Sequence, residues 1–182
     1  FSTLVGGSHL NGLTSSRYEL KKLLWESRDW ALCIEDLAEH YKRTGSGIFG
    51  KYLAFRWLPT DEGGYIEGIY EPDPIRLEDL IGYDREREEI IGNTLQFVEG
   101  CPANNILLYG DRGTGKSSTI KALIHRFGGD GLRLIEISQE DLGDFPYILR
   151  SLRGRANRFI LFIDDLSFEE GEREYKSLKA IL

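Results

Sequence analysis

The chain has 182 residues, 41% of them hydrophobic and 29% charged, which suits one soluble globular domain with an additional segment. The formal net charge of −7 argues against nonspecific binding to nucleic acid through overall charge, although it leaves room for a local basic patch. No apolar run approaches the ~20 residues of a membrane helix and the start lacks signal-peptide features, so we expect a cytoplasmic protein without a membrane partner.

The two cysteines, Cys33 and Cys101, are isolated and lack the spacing of a metal site or a disulfide, which indicates a reducing compartment. The three histidines are scattered, and we assign none of them to a metal. The chain contains no methionine and stops at Leu182 inside a predicted helix, so we expect a fragment of a longer protein.

The first third of the chain predicts a loose entry over residues 1–15 and then a helical pair. Ser16 and Glu19 resemble a capping box, and an apolar stripe at helical spacing follows from residue 20 to residue 41. Residues 27–29 are expected to break the stripe, with Asp29 capping the second helix. The pair is either a partner-binding module or a hairpin packed on its own neighbours, as amphipathic helices usually are.

Aromatic residues are dense from Ile48 to Tyr70, where we expect core or interface packing rather than base stacking, because no basic cluster accompanies the rings. The periodicity does not decide strand from helix here, and residues 61–64 form a turn. Residues 71–74 read Glu-Pro-Asp-Pro and predict a linker. We therefore divide the chain into a mainly helical and aromatic extension, 1–74, and a core, 75–182, whose motifs follow.

The core begins with a helix that ends before residues 100–102. Ile106–Tyr109 then form a short apolar run, typical of a buried strand. Residues 110–117 fit G-x-x-x-x-G-K-[ST] at every fixed position, and residues 120–127 have helical spacing. The order strand, glycine-rich loop, helix is that of a site for nucleotide phosphates.

The residue types of this loop match the chemistry of a triphosphate. Glycines let successive backbone N–H groups point at phosphate oxygens, and the N-terminus of the following helix adds its own donors. Lys116 is predicted to reach the β- and γ-phosphates, and the Ser117 hydroxyl to ligate Mg²⁺.

Beyond the loop, residues 132–137 predict a second strand, and Asp144-Phe145-Pro146 opens a helix through residue 152. Four arginines between residues 150 and 158 are either solvated surface or contacts to nucleotide, a neighbour or nucleic acid. Residues 159–163 predict a buried strand that ends in Asp164 and Asp165. We expect Asp164 to hold Mg²⁺ and Asp165 to orient the attacking water.

These motifs together resemble the AAA+ ATPases. Ile81-Gly82-Tyr83-Asp84, residues 102–105, the loop at 110–118 and Asp164-Asp165-Leu166-Ser167-Phe168-Glu169 are similar to a bacterial AAA+-like family of unknown function. The resemblance implies an α/β P-loop fold, a parallel sheet flanked by helices, with the sensor residue, arginine finger and C-terminal lid following Leu182.

The resemblance also implies roles for particular residues. Lys116 and Asp165 would be catalytic, Ser117 and Asp164 would bind the metal, and Ile81 and Gly82 would contact the adenine edge. The ATP-binding loop would comprise Gly110, Asp111, Arg112, Gly113, Thr114, Gly115, Lys116, Ser117 and Ser118.

ATP and Mg²⁺ are the cofactors that the resemblance implies, with a protein partner and assembly into a homo-oligomer. Asp165 departs from the commoner Glu, and the Asp-Asp pair is similar to bacterial replication initiators and helicase loaders, whose ATP acts more as a switch than as fuel. A slow Mg²⁺-dependent ATPase is thus expected. The alternatives are a non-hydrolysing nucleotide switch, a P-loop kinase and a nucleic-acid remodeller.

Overall fold

The computed structural model describes residues 11–166. Its helices are α1 (Asn11–Glu26), α2 (Ile34–Thr44), α3 (Gly47–Lys51), α4 (Asp84–Val98), α5 (Lys116–Phe127) and α6 (Phe145–Leu152). Its strands are β1 (Ala54–Leu58), β2 (Tyr65–Ile69), β3 (Leu132–Ile137) and β4 (Arg158–Ile163). Over this range no helix has both the length and the apolar character needed to cross a membrane.

The four strands form one mostly parallel sheet in the order β2-β1-β3-β4. β2 is antiparallel to β1, whereas β1, β3 and β4 all point the same way. The expected α/β class with a parallel sheet and flanking helices is confirmed at this level. Since Ile137 pairs with Ile163, the carboxyl ends of β3 and β4 lie level, and Asp164 follows directly at that edge.

Helices cover both faces of the sheet because the side chains of β1 and β3 alternate between two cores. Leu132 and Leu134 of β3 pack with Leu123 and Ile124 of α5 on one face. The core on the other face has eight buried members: Phe49, Phe55, Trp57, Ile135, Ile137, Leu142, Phe145 and Ile148. β3 is buried almost throughout because it has a strand on each side and helices above and below.

The N-terminal helical pair forms as predicted, with one difference in its start. α1 begins at Asn11, so Ser16 lies within the helix instead of capping it. The break falls where expected, and the Asp29 carboxylate accepts a 2.9 Å hydrogen bond from the Ala31 amide. At this break Trp25 and Trp30 are 90% and 70% exposed.

The aromatic segment, Ile48 to Tyr70, forms most of α3 and the β-hairpin of β1 and β2. The periodicity of the sequence had not decided between helix and strand here. Phe55 and Trp57 of β1 are buried in the core, as predicted for these aromatics, and residues 61–62 form the turn before β2. β1 pairs with β3, so the sheet contains strands from before and after residue 74. The division of the chain at residue 74 stays a prediction.

The strand predicted at Ile106–Tyr109 is wrong for the described structure. These residues have no regular secondary structure, and Leu107 and Tyr109 are 68% and 91% exposed. A strand needs a neighbour for its backbone hydrogen bonds, and among residues 11–166 this segment pairs with none of the four strands. An apolar run specifies that a segment can be buried, but the partner strand decides whether it is.

A buried arginine links the N-terminal helices to the sheet. Arg133 of β3 is 0% exposed, and its guanidinium donates to the carbonyls of Phe49 (2.6 Å), Thr44 (2.6 Å), Gly128 (2.9 Å) and Leu132 (2.7 Å). Asn157 Nδ2 donates to the same Thr44 carbonyl at 3.2 Å. The C-terminal ends of α2 and α5 and the middle of α3 are therefore held at one point of β3.

We expect Arg133→Met to lower the free energy of unfolding by roughly 3 kcal/mol or more, because it leaves several buried carbonyls without a donor. Urea denaturation followed by circular dichroism measures the change. Arg150→Met, at an exposed position of α6, is the control and should change stability by less than about 0.5 kcal/mol. Equal losses in the two variants would contradict the role assigned to Arg133.

Candidate functional site

The glycine-rich loop has the backbone that its sequence requires. Gly110, Gly113 and Gly115 have φ angles of 135°, 81° and 80°, which residues with a side chain rarely adopt. A Cβ at Gly110 or Gly113 would meet nothing within 4 Å, so conformation rather than space explains these glycines. Asp111 and Arg112 are exposed at the tip of the loop, and Thr114 Oγ1 donates to the Asp111 carbonyl at 2.9 Å.

Lys116 is the first residue of α5, and its side chain extends back so that the loop surrounds its ammonium group. Its ammonium donates to the carbonyls of Gly110 (2.9 Å) and Asp111 (2.6 Å). The loop thus curls around a positive charge placed at a helix N-terminus, an arrangement that favours an anion. Ser118 is half-buried in the first turn of the same helix.

Ser117 joins the loop to the end of β4. Its hydroxyl donates to Asp164 Oδ1 at 2.6 Å, across 47 residues of sequence. The contact is made because α5 begins beside the carboxyl edge of the sheet, where Asp164 directly follows β4. The two predicted metal ligands are therefore adjacent, and Asp164 is exposed to solvent.

Asp165 has a left-handed backbone, with φ at 50°, and an exposed side chain. Its amide donates to Asp164 Oδ1 at 3.1 Å, so the Asp164 carboxylate also orients the chain that follows it. Aspartate tolerates this conformation better than most residues that have a Cβ.

A cavity of about 780 Å³ opens beside the acidic pair at the carboxyl ends of β1, β3 and β4. Its lining includes Asp164, Asp165 and residues 138–141, but not the glycine-rich loop. Within it Glu136 forms ion pairs with Arg56 (3.3 Å) and Lys121 (3.2 Å). The cavity is thus an acidic recess next to the Ser117–Asp164 contact.

Ile81 and Gly82 lie in the turn before α4. Ile81 is 97% exposed, and Gly82 has φ at 78°. Leu80 places Cδ2 3.7 Å from where a Cβ on Gly115 would lie, so this turn adjoins the glycine-rich loop. The structure therefore brings the predicted adenine-edge residues next to the predicted phosphate loop.

Arg150, Arg153, Arg155 and Arg158 are all exposed, in agreement with the prediction of solvated surface, and they do not form one basic patch. Arg155 lies over the ring of Phe49 at 5.2 Å, and Arg158 lies over the ring of Phe97 at 6.0 Å. Phe49 and Phe97 belong to the cores on opposite faces of the sheet. This division gives no support to a nucleic-acid surface built on these residues.

Comparison with known proteins identifies the family. Residues 50–182 match the family described as "Protein of unknown function (DUF815)", which covers well over half of the chain. The chain belongs to this family. The match agrees with the resemblance to a family of unknown function drawn from the motifs.

This DUF815 chain is also similar to a curated protein over a shorter stretch. The 26S proteasome regulatory subunit 4 homolog of Dictyostelium discoideum is 35% identical over 81 residues, which is 42% of this chain and 18% of that protein. The chain thus spans less than a fifth of that relative's length. No solved structure matches the chain significantly.

The donor set of this DUF815 chain fits Mg²⁺ bound together with phosphate. A hydroxyl and a carboxylate oxygen in contact are hard oxygen ligands, which Mg²⁺ prefers. Among residues 11–166 no group of three or more His, Cys, Asp or Glu side chains is arranged to hold a metal. Phosphate oxygens and water would therefore complete the coordination, as is usual for Mg²⁺.

Sequence reasoning missed two side chains that shape the site. Asn93 of α4 donates to the carbonyl of Asn104 and accepts from its amide, both at 2.8 Å, which fixes the chain entering the loop. Arg87 is buried beneath the turn that carries Ile81. A signal existed, because Arg87, Ile90 and Thr94 share the buried face of α4 at helical spacing.

Asp141, in the wall of the cavity, is expected to make the stability of the fold depend on pH. Burial, and then the charges of Asp144 and Glu140, raise the pKa of its carboxyl above the ordinary value of 3.8. The folded state consequently keeps this proton longer than the unfolded chain does as the pH rises. The contribution of Asp141 to stability is full below 3.8 and is lost as the pH rises through the folded-state pKa.

Asp141→Asn should therefore raise the free energy of unfolding at pH 7, and the gain should disappear at pH 3. Chemical denaturation at the two pH values measures it. Glu62→Gln, in the exposed turn between β1 and β2, is the control and should give no gain that depends on pH in this way. A gain from Asp141→Asn of the same size at both pH values would refute the account.

Proposed function

We propose that this chain is the nucleotide-binding core of an AAA+ ATPase that binds Mg²⁺·ATP and hydrolyses it slowly. The observation that carries the proposal is the 2.6 Å contact between Ser117 and Asp164, which joins the phosphate loop to the carboxyl edge of the sheet. Open α/β sheets bind their ligands at this edge. The segment of similarity to the 26S proteasome regulatory subunit 4 homolog supports the same class.

The loop and the start of α5 would bind the triphosphate. The Lys116 ammonium would exchange its bonds to the Gly110 and Asp111 carbonyls for phosphate oxygens, which are stronger acceptors because they are charged. The amides of the loop and of the first turn of α5 would donate to the same phosphates. Ser117 and Asp164 would hold Mg²⁺, which neutralises charge on the β- and γ-phosphates when bound.

Asp165 would position the water that attacks the γ-phosphate and accept its proton. Its side chain is exposed to solvent and lines the acidic cavity. An aspartate is one methylene shorter than the commoner glutamate, so its reach to the water is shorter. This difference is the reason to expect slow turnover, with the nucleotide acting chiefly as a switch.

The switch would control a protein partner, and the N-terminal helical pair offers a surface for one. Trp25, Trp30, Leu32 and Ile34 are 90%, 70%, 79% and 61% exposed at the junction of α1 and α2. The Trp30 indole donates to the Leu24 carbonyl at 3.0 Å, which limits its freedom before binding. Ordered, exposed tryptophans are common anchors of protein interfaces. Assembly of several copies of the chain belongs to the same proposal.

A thermal-shift assay tests nucleotide binding. ATP with Mg²⁺ at 100 times its Kd should stabilise the folded chain by about 2.7 kcal/mol, a rise in Tm of roughly 5–10 °C. Lys116→Ala should abolish the rise because it removes the charge at the centre of the loop. Lys42→Ala, on exposed α2, should keep it. A chain that shows no shift with any adenine nucleotide would refute the proposal.

Release of phosphate separates the ATPase from its alternatives. Asp165→Asn should slow the release by about 100-fold or more while the thermal shift remains, since a positioned base contributes on that order. Glu140→Gln, in the same cavity, is the matched control and should leave release unchanged. A shift without release in the unaltered chain would identify a binding switch, and phosphate on a small acceptor would identify a kinase.

A further inference from the structure

The start of α5 is joined to the sheet by a second polar contact, one helical turn after Ser117. Lys121 Nζ lies 3.2 Å from Glu136 Oε1 of β3, and the two side chains are 27% and 22% exposed. Solvent and salt weaken such a partly buried ion pair less than an exposed one. Glu136 follows the core residue Leu134 on the same face of β3, so the pair lies at the boundary between the core and the candidate site.

The spacing of the two contacts on α5 matches their spacing on the sheet. Ser117 and Lys121 are four residues apart on one face of α5, about 6 Å along its axis. Glu136 is level with Phe162 of β4, and Asp164 comes two residues later on the same face, about 6.6 Å further along the strands. Helix and sheet therefore meet in register at two points, one on β3 and one beyond the end of β4.

The two contacts differ in what a ligand would change. Under the proposed function Ser117 and Asp164 would hold Mg²⁺, so their direct contact would be exchanged for the metal. Lys121 and Glu136 belong neither to the predicted metal ligands nor to the phosphate loop, so their pair would remain. The remaining pair would then determine how far the first turn of α5 stands from the carboxyl edge of the sheet.

We infer that Lys121 is a positioning residue, which through Glu136 keeps Ser117 and Asp164 at the separation that Mg²⁺ needs. The inference rests on the proposed function and extends it to a residue that contacts neither nucleotide nor metal. Loss of a side chain that orients metal ligands commonly costs about 10- to 100-fold in metal affinity. The charge of Lys121 by itself would act in the opposite direction, because a cation beside the site repels Mg²⁺.

Glu136 has a second cationic partner, which supplies a matched control. Arg56 of β1 lies 3.3 Å from Glu136 Oε2 and is 58% exposed. Lys121→Met removes the tie between α5 and β3 but leaves Glu136 paired with Arg56, so the fold should be kept. Arg56→Met removes one positive charge from the same carboxylate and leaves α5 tied to β3. The two variants therefore lose the same charge and differ in whether α5 is released.

Isothermal titration calorimetry with ATP, in Mg²⁺ and in EDTA, measures on the 182-residue chain how much the metal tightens nucleotide binding. Lys121→Met should reduce this tightening by roughly tenfold and change the affinity for ATP in EDTA by less than about twofold. Lys121→Arg, which keeps the ion pair, should restore most of the loss, and Arg56→Met should leave the tightening unchanged. A tightening in Lys121→Met as large as in the unaltered chain, or larger, would overturn the inference.

A double-mutant cycle covers the case in which Lys121→Met does not fold. Lys121→Gln and Glu136→Gln each weaken the pair from one side while keeping a polar side chain, and each should reduce the tightening by Mg²⁺. If Lys121 acts through Glu136, the two changes together should reduce it by less than the product of their separate effects. Independent effects would count against the inference.

The remaining outcomes are also distinct. Equal weakening of ATP binding in Mg²⁺ and in EDTA by Lys121→Met would show that Lys121 supports the fold or the phosphate loop, and the inference would fail. If Mg²⁺ does not tighten ATP binding by the unaltered chain, the inference fails while nucleotide binding stands. If the unaltered chain binds ATP in neither buffer, the proposed function itself fails.

Discussion

The buried guanidinium of Arg133 is the contact on which the arrangement of the chain depends. From the most buried strand of the sheet it donates to the carbonyls of Thr44 at the end of α2, Phe49 within α3 and Gly128 just after α5. Burying a charge is unfavourable unless its donors are satisfied, so this arginine is stable only where those three helices meet. Because α5 also carries the glycine-rich loop at its other end, the same contact sets where the loop lies relative to β3.

The candidate site follows from that placement. With α5 set against β3, its first turn reaches the carboxyl edge, and the level pairing of β3 with β4 puts Asp164 within hydrogen-bond distance of Ser117. Lys116 and Ser117 now bond to the loop and to Asp164, groups that phosphate and Mg²⁺ can replace. These polar groups are thus satisfied by partners within the chain, and under the proposed function nucleotide binding would exchange one set of partners for another.

The sequence predicted helices and strands well where the spacing of apolar residues and the residues that begin or end an element agree. α5, β3, α6 and β4 lie where the spacing of apolar residues and the glycines and Pro146 indicate. The break at Asp29 was predicted from its capping chemistry. The burial of the aromatic side chains of β1 was predicted from the density of aromatic residues in that segment. Two predictions were wrong: the strand at Ile106–Tyr109 and the start of α1 at Ser16. The strand depends on a partner strand, and the residues at the start of α1 carry no clear boundary signal.

What the sequence by itself determined is the chemistry: a loop that only glycines can form, a lysine and a serine after it, and two carboxylates after an apolar strand. These follow from backbone freedom and side-chain type, which are local properties. Only the tertiary structure decided that Ser117 meets Asp164, that Lys121 pairs with Glu136 and that Arg133 joins the helices to the sheet. Contacts between residues far apart in sequence depend on strand order and helix packing, which no short stretch of sequence encodes.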